Sequence, residues 1–132
     1  MNIVVDTSVL IAVLTNEPES QKLISLTKGT DLLAPASVHW EIGNALAAML
    51  KRNRIVVDQI QVILRAYNQI PIRFIDVDLE ASLQIAAEND LYAYDAYIIA
   101  CARANHCSLI SLDKALCKAA FKAQVNVLEV SL

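Results

Sequence analysis

Four acidic side chains occupy positions where an α/β protein does chemistry. Asp6 follows the β-branched run Ile3-Val4-Val5 and precedes Thr7-Ser8. Asp113 follows Leu109-Ile110-Ser111-Leu112 and precedes a helical stretch. Taken singly, each is explained by helix N-capping, because a short carboxylate satisfies the first free amides of a helix. Glu41 and Asp95 resist so simple an explanation. In the helical stretch around Glu41, Val38, Ile42, Ala45, Leu46 and Met49 make an apolar stripe, and Glu41 borders it. Asp95 opens the run Ala96-Tyr97-Ile98-Ile99-Ala100-Cys101-Ala102, with Ile98 and Ile99 one turn on along its own face. An unpaired ionised carboxylate there costs several kcal/mol and demands a partner or a proton. For Asp95 that partner is a cap or a base such as Arg103; Glu41 is otherwise a solvated rim carboxylate, with or without a Lys or Arg partner. If the four acids meet, they repel one another, and a hard divalent cation removes the penalty. All-oxygen ligation of this kind suits Mg²⁺ or Mn²⁺.

The elements that position these acids follow from periodicity. Strands are expected at 3–5, 30–34, 73–75, 108–111 and 127–129. Helices are expected at about 9–14, 16–28, 38–53, 58–69, 78–88, 94–105 and 114–123. Strands alternating with helices imply parallel pairing, right-handed crossovers and helices on both faces of the sheet. Sites in such sheets form at the carboxyl ends of strands, near the switch in strand order. Asp6 and Asp113 fall there.

Composition narrows the function. The 132 residues suit one domain spanning 1–132. With 11 basic and 14 acidic residues, the net charge is −3, so the chain is no simple electrostatic binder of nucleic acid. Any such contact is local or cation-assisted. Lys51, Arg52 and Arg54 form the compact basic cluster that could steer a phosphate backbone, or simply complement a helix C-terminus. Hydrophobic residues reach 56%, more than one small core needs, which points to an interface. Cys101, Cys107 and Cys117 show no paired spacing and read as reduced thiols. The first residues show no basic segment followed by a long apolar run, and no stretch approaches the roughly 20 residues of a membrane span. A cytoplasmic location is expected.

Four segments, in order, resemble the PIN-domain ribonucleases, and closely the VapC-type toxins of type II toxin–antitoxin pairs. They are Ile3-Val4-Val5-Asp6-Thr7-Ser8-Val9-Leu10, Ser37-Val38-His39-Trp40-Glu41-Ile42-Gly43-Asn44-Ala45-Leu46, Tyr94-Asp95-Ala96-Tyr97-Ile98-Ile99-Ala100 and Leu109-Ile110-Ser111-Leu112-Asp113. Their spacing matches the family over nearly the whole chain. The resemblance implies a three-layer α/β/α fold with a central, mostly parallel sheet of about five short strands. It maps Asp6, Glu41, Asp95 and Asp113 onto the family's acidic quartet. It implies an endoribonuclease dependent on Mg²⁺ or Mn²⁺, a homodimer, and a cognate antitoxin that occludes the site. Ser111 stands where many members carry Thr, so the hydroxyl is kept; Asp113 matches the family's most variable acid. In this reading Asp6 and Asp95 are the direct metal ligands, while Glu41 and Asp113 act through water or hold a second ion. Thr7, Ser8 and Ser111 either orient the carboxylates or cap helices. Trp40, Tyr92, Tyr94 and Tyr97 are candidate stacking surfaces or packing residues, and Asn44 either faces the site or the solvent. A catalytically inactive module that binds a partner protein is the main alternative. Acids and metal alone do not choose RNA over DNA.

Overall fold

The computed structural model describes residues 1–130. Its elements run β1 (Asn2–Val5), α1 (Thr7–Leu14), α2 (Ser20–Thr27), β2 (Asp31–Pro35), α3 (Ser37–Lys51), α4 (Val57–Gln69), β3 (Ile72–Ile75), α5 (Leu79–Asn89), α6 (Ala93–Ala104), β4 (Ser108–Ile110) and α7 (Lys114–Lys122). The four strands form one sheet in the order β3-β2-β1-β4, and every pairing is parallel. β1 lies inside the sheet, and Ile3, Val4 and Val5 are all buried, as an apolar run between two neighbours must be.

Helices cover both faces. α6 packs across β1, β2 and β4 and carries α5; α1 gathers α2, α3 and α4, and α3 packs on β2. The result is helix, sheet, helix. α6 is buried along most of its length because Ala96, Ile98, Ile99, Ala100, Cys101 and Ala102 leave it no polar face toward the core. Local signals place the ends. Asp78 caps α5 by accepting from the Ala81 amide, and Asp90 ends that helix in the left-handed conformation at φ 54°.

The expected fifth strand at 127–129 is reduced to one parallel bridge between Leu109 and Val127. The Leu109 amide donates to the Asn126 carbonyl and the Leu128 amide to the Leu109 carbonyl, each at 2.9 Å. β4 is three residues long, so it can template little more than one bridge on its open side. The helix expected from residue 16 begins at Ser20; Pro18 and its neighbours form a turn before it. No helix among the described residues is long and apolar enough to cross a membrane.

The strand order sets the site. From β1 the chain moves outward through β2 and β3, then returns to the other side of β1 with β4. The topological switch therefore lies between the carboxyl ends of β1 and β4, where Val5 pairs with Ile110.

Candidate functional site

Asp6 leaves β1 at that switch and caps α1. It is 5% exposed. Both carboxylate oxygens are held: Oδ1 accepts from Ser8 Oγ at 2.7 Å and the Val9 amide at 3.2 Å, and Oδ2 accepts from Ser111 Oγ at 2.5 Å. Ser8 Oγ in turn accepts from the Leu112 amide at 3.0 Å, and Ser111 Oγ from the Asp113 amide at 2.9 Å. Two hydroxyls thus lace the end of β1 to the loop after β4. Asp113 caps α7, its Oδ1 accepting from the amides of Ala115 at 3.0 Å and Leu116 at 3.1 Å. Both acids are the caps that their positions suggest.

Glu41 and Asp95 arrive from helix faces. Glu41, on α3, is half-buried, and its Oε2 accepts from Thr7 Oγ1 at 3.3 Å. Asp95 lies in the first turn of α6, also half-buried. Arg103 does not pair with it; that guanidinium donates to the Ala123 carbonyl at 2.6 Å. Thr7, Ser8 and Ser111 each donate to one of these carboxylates.

The electrostatics join the four. Burial raises the Asp6 carboxyl above its ordinary value, and Asp113 pushes the same way against the Ser111, Ser8 and Val9 hydrogen bonds. Burial, then the charges of Asp95 and Asp6, push Glu41 up to about 7, against the Thr7 hydrogen bond. Burial and the Asp113 charge raise Asp95. The repulsions close a ring: Asp6 to Asp113, Asp113 to Asp95, Asp95 to Glu41, Glu41 to Asp6. Hydroxyls, a backbone amide and neighbouring carboxylates, among the described residues, act on Asp6, Glu41 and Asp95. Among the described residues, no three His, Cys, Asp or Glu side chains close on one point as a ready-made metal cage. The arrangement is an open acidic rim, chemically suited to a hard cation that keeps part of its water shell.

A cavity of about 430 Å³ adjoins the rim, lined by Thr7, Trp40, Glu41, Asn44, Ala45 and Tyr94. A larger one, about 650 Å³, opens at the amino ends of β1 and β4 around Asn2, Arg103, His106 and Asn126, and has no carboxylate in its wall. Cys117, expected only as one of three reduced thiols, lies beside the loop after β4. Its Sγ lies 3.6 Å from the Ser111 carbonyl, and burial, Asp6 and Asp113 raise its thiol. The signal was helical spacing, since Cys117 sits one turn beyond Asp113.

A model of the PIN domain matches residues 3–122. The chain belongs to the PIN-domain family. Comparison with curated protein sequences gives no significant match. Among solved structures, PAE2754 from Pyrobaculum aerophilum superposes with TM-score 0.71 at 22% identity, covering 90% of this chain and 79% of that one. VapBC2 from Rickettsia felis, bound to a DNA fragment from its promoter, gives 0.70 at 13% identity over 97% and 98% of the two chains. A toxin–antitoxin complex from Klebsiella pneumoniae gives 0.69 at 19% identity over 98% of each. At such identities the likeness is one of fold. This PIN domain shares the three-layer architecture.

Proposed function

We propose that this PIN domain is an endoribonuclease dependent on Mg²⁺ or Mn²⁺ and the toxic component of a toxin–antitoxin pair. The observation that carries the proposal is the meeting of acids at the switch point of the sheet: Ser111 Oγ ties Asp6 to the Asp113 amide, and Thr7, the next residue after Asp6, holds Glu41. Burying Asp6, Glu41 and Asp95 near like charges does not stabilise the fold, whereas a bound cation gains from it. The donor set fits a hard divalent cation, with Asp6 and Asp95 as direct holders and Glu41 and Asp113 through water. Such an ion supplies Lewis-acid stabilisation of a phosphoryl oxygen and a water of lowered pKa.

The residues of the chain do the rest. Ser8, Ser111 and the Val9 amide fix the Asp6 carboxylate plane, as supporting hydrogen bonds do in metal sites. Thr7 Oγ1 holds Glu41 Oε2 toward the rim. Glu41, with a pKa of about 7 before any cation is present, is able to hold or release a proton at neutral pH. Lys51, Arg52 and Arg54, all exposed at the end of α3, draw a polyanion toward the helix that carries Glu41. The exposed apolar side chains Ile24, Val57, Val62, Leu79, Leu83 and Phe121 supply surface for a second copy and for an antitoxin. The toxin–antitoxin nature of structural neighbours favours this pairing, in the cytoplasm where RNA and antitoxin are made.

The test is cleavage of structured and single-stranded RNAs with Mn²⁺, with EDTA, and with Asp95→Asn. Cleavage that needs Mn²⁺ and vanishes in the variant is expected. Wild-type protein that cleaves no RNA under Mn²⁺ or Mg²⁺, and is harmless on expression, would leave a partner-binding module instead.

A further inference from the structure

The cavity beside Glu41 contains more than acids. Trp40 and Tyr94 line it from two different helices, α3 and α6, and both are open to solvent at 76% and 58% exposure. Each ring has an aromatic neighbour on its own helix. Trp40 meets His39 edge to face, with centroids 4.9 Å apart at 76°, and His39 is fixed by a 2.9 Å hydrogen bond to Tyr67 Oη. Tyr94 meets Tyr97 edge to face at 5.9 Å and 85°. Edge-to-face contacts hold a ring while leaving aromatic surface uncovered. Asn44 stands one turn after Trp40 on α3, so the two share a helix face, and its amide both donates and accepts. Tyr92, more exposed still, does not line this cavity.

We propose that this cavity is a nucleobase subsite, in which Trp40 and Tyr94 stack an unpaired base of a single strand and Asn44 reads its edge. The proposal rests on the nuclease reading, because the subsite takes its meaning from the phosphodiester that the neighbouring carboxylates would act on. Its volume, about 430 Å³, falls in the range of small-molecule pockets. Flat π-surfaces with one neutral amide suit a base, and stacking supplies attraction that this acidic chain cannot obtain from net charge. The preference is therefore for unpaired regions, since a base buried in a duplex cannot enter.

Trp40 is the single tryptophan of the chain, so intrinsic tryptophan fluorescence reports directly on this cavity. The experiment titrates Asp95→Asn protein, in EDTA, with a short single-stranded RNA and with an abasic strand of equal length. Saturable quenching by the RNA is expected, with the abasic strand binding about tenfold or more weakly and leaving the signal unmoved. In wild-type kinetics, Trp40→Ala and Tyr94→Ala raise KM by roughly 5- to 100-fold with little change in kcat, and Tyr94→Phe, which keeps the ring, restores KM. Equal quenching by both strands, no quenching by either, or alanine variants with the wild-type KM would overturn the subsite. The two readings fail separately. Wild-type cleavage with unaffected alanine variants removes the subsite and leaves the nuclease; quenching by RNA without any cleavage removes the nuclease and leaves a base-binding pocket.

Discussion

Glu41 holds a carboxylate where burial and two like charges oppose its ionisation, so neutralising it should stabilise the protein when no cation is present. The sign follows from linkage. The pKa rises from 4.5 in the unfolded chain to about 7 in the fold, so the folded state binds more protons between those values. Glu41's contribution to stability is therefore fully present below pH 4.5, falls as pH rises, and is gone above about pH 7. A rise of that size corresponds to at most about 3.4 kcal/mol of unfavourable free energy on the ionised form. Glu41 is only half-buried, and screening by water reduces this to roughly 1–2 kcal/mol. Gln at this position keeps an oxygen for Thr7 Oγ1 and removes the charge. In EDTA at pH 8.5, Glu41→Gln should melt roughly 3–8 °C above wild type. At pH 4.5 the advantage should disappear, because the wild-type side chain is then largely neutral. Added Mn²⁺ should raise the melting point of wild type more than that of the variant and close the gap. The assay is thermal unfolding followed by circular dichroism across this pH range, with and without metal. A melting difference that does not change with pH, or a variant less stable at pH 8.5, would refute the idea that Glu41 sits in a repulsive rim.

Further outcomes follow from the same contacts. Ser111→Ala removes the donor to Asp6 Oδ2 and the acceptor of the Asp113 amide; it should weaken Mn²⁺ binding, measured by calorimetry, by roughly 10- to 100-fold, whereas Ser111→Thr should keep it. Asp113→Asn keeps the cap on α7 and drops only a charge, so its unfolding free energy in urea should stay within about 0.5 kcal/mol of wild type, while Asp113→Ala should cost about 1 kcal/mol. Cleavage by Asp113→Asn should fall less than by Asp95→Asn in the same RNA assay. Replacing Lys51, Arg52 and Arg54 together by Ala should raise KM for RNA and flatten its salt dependence by about 0.7 per lost phosphate contact, with kcat nearly unchanged.

Most of the fold was legible because its strands and helices carry strong, unmixed patterns. Ile3-Val4-Val5 reads as a buried strand and is one, and Asp78 and Asp90 mark the two ends of α5; the strand order that fixes the switch point came only from the structure. The misreadings lie where pairing, not propensity, decides. Val127-Leu128-Glu129 has strand character, yet β4 is too short to extend a ladder beside it. Pro18 suits a first helical turn, yet the chain spends those residues on the turn that leads into Ser20. At the site, residue types indicated which acids matter, but not that Thr7 reaches Glu41 across 34 residues of chain or Ser111 reaches Asp6 across 105. Such contacts depend on how strand ends and helix faces come together, which no local pattern encodes. Arg103 illustrates the converse. It shares α6 with Asp95 but lies in the last turn while Asp95 lies in the first, and its guanidinium donates to the Ala123 carbonyl.

That Asp6 and Asp113 are helix caps does not compete with their place in the rim. A cap needs one oxygen. Oδ1 of Asp113 takes both helix amides, and Oδ1 of Asp6 takes the Val9 amide, so each helix is satisfied by half a carboxylate. The capping bonds also fix the plane of each group, which a freely rotating surface Asp would lose entropy to achieve on binding an ion. Glu41 and Asp95 have no such anchorage from caps and are instead set by the burial of their helices, whose apolar faces leave the carboxylates half in water. The rim thus combines two acids oriented by backbone amides with two positioned by core packing, and the free energy of folding holds all four against their mutual repulsion. Removing one charge should loosen that opposition without loosening the fold, which is why Glu41→Gln is expected to gain stability in EDTA and Asp95→Asn to lose cleavage while staying folded.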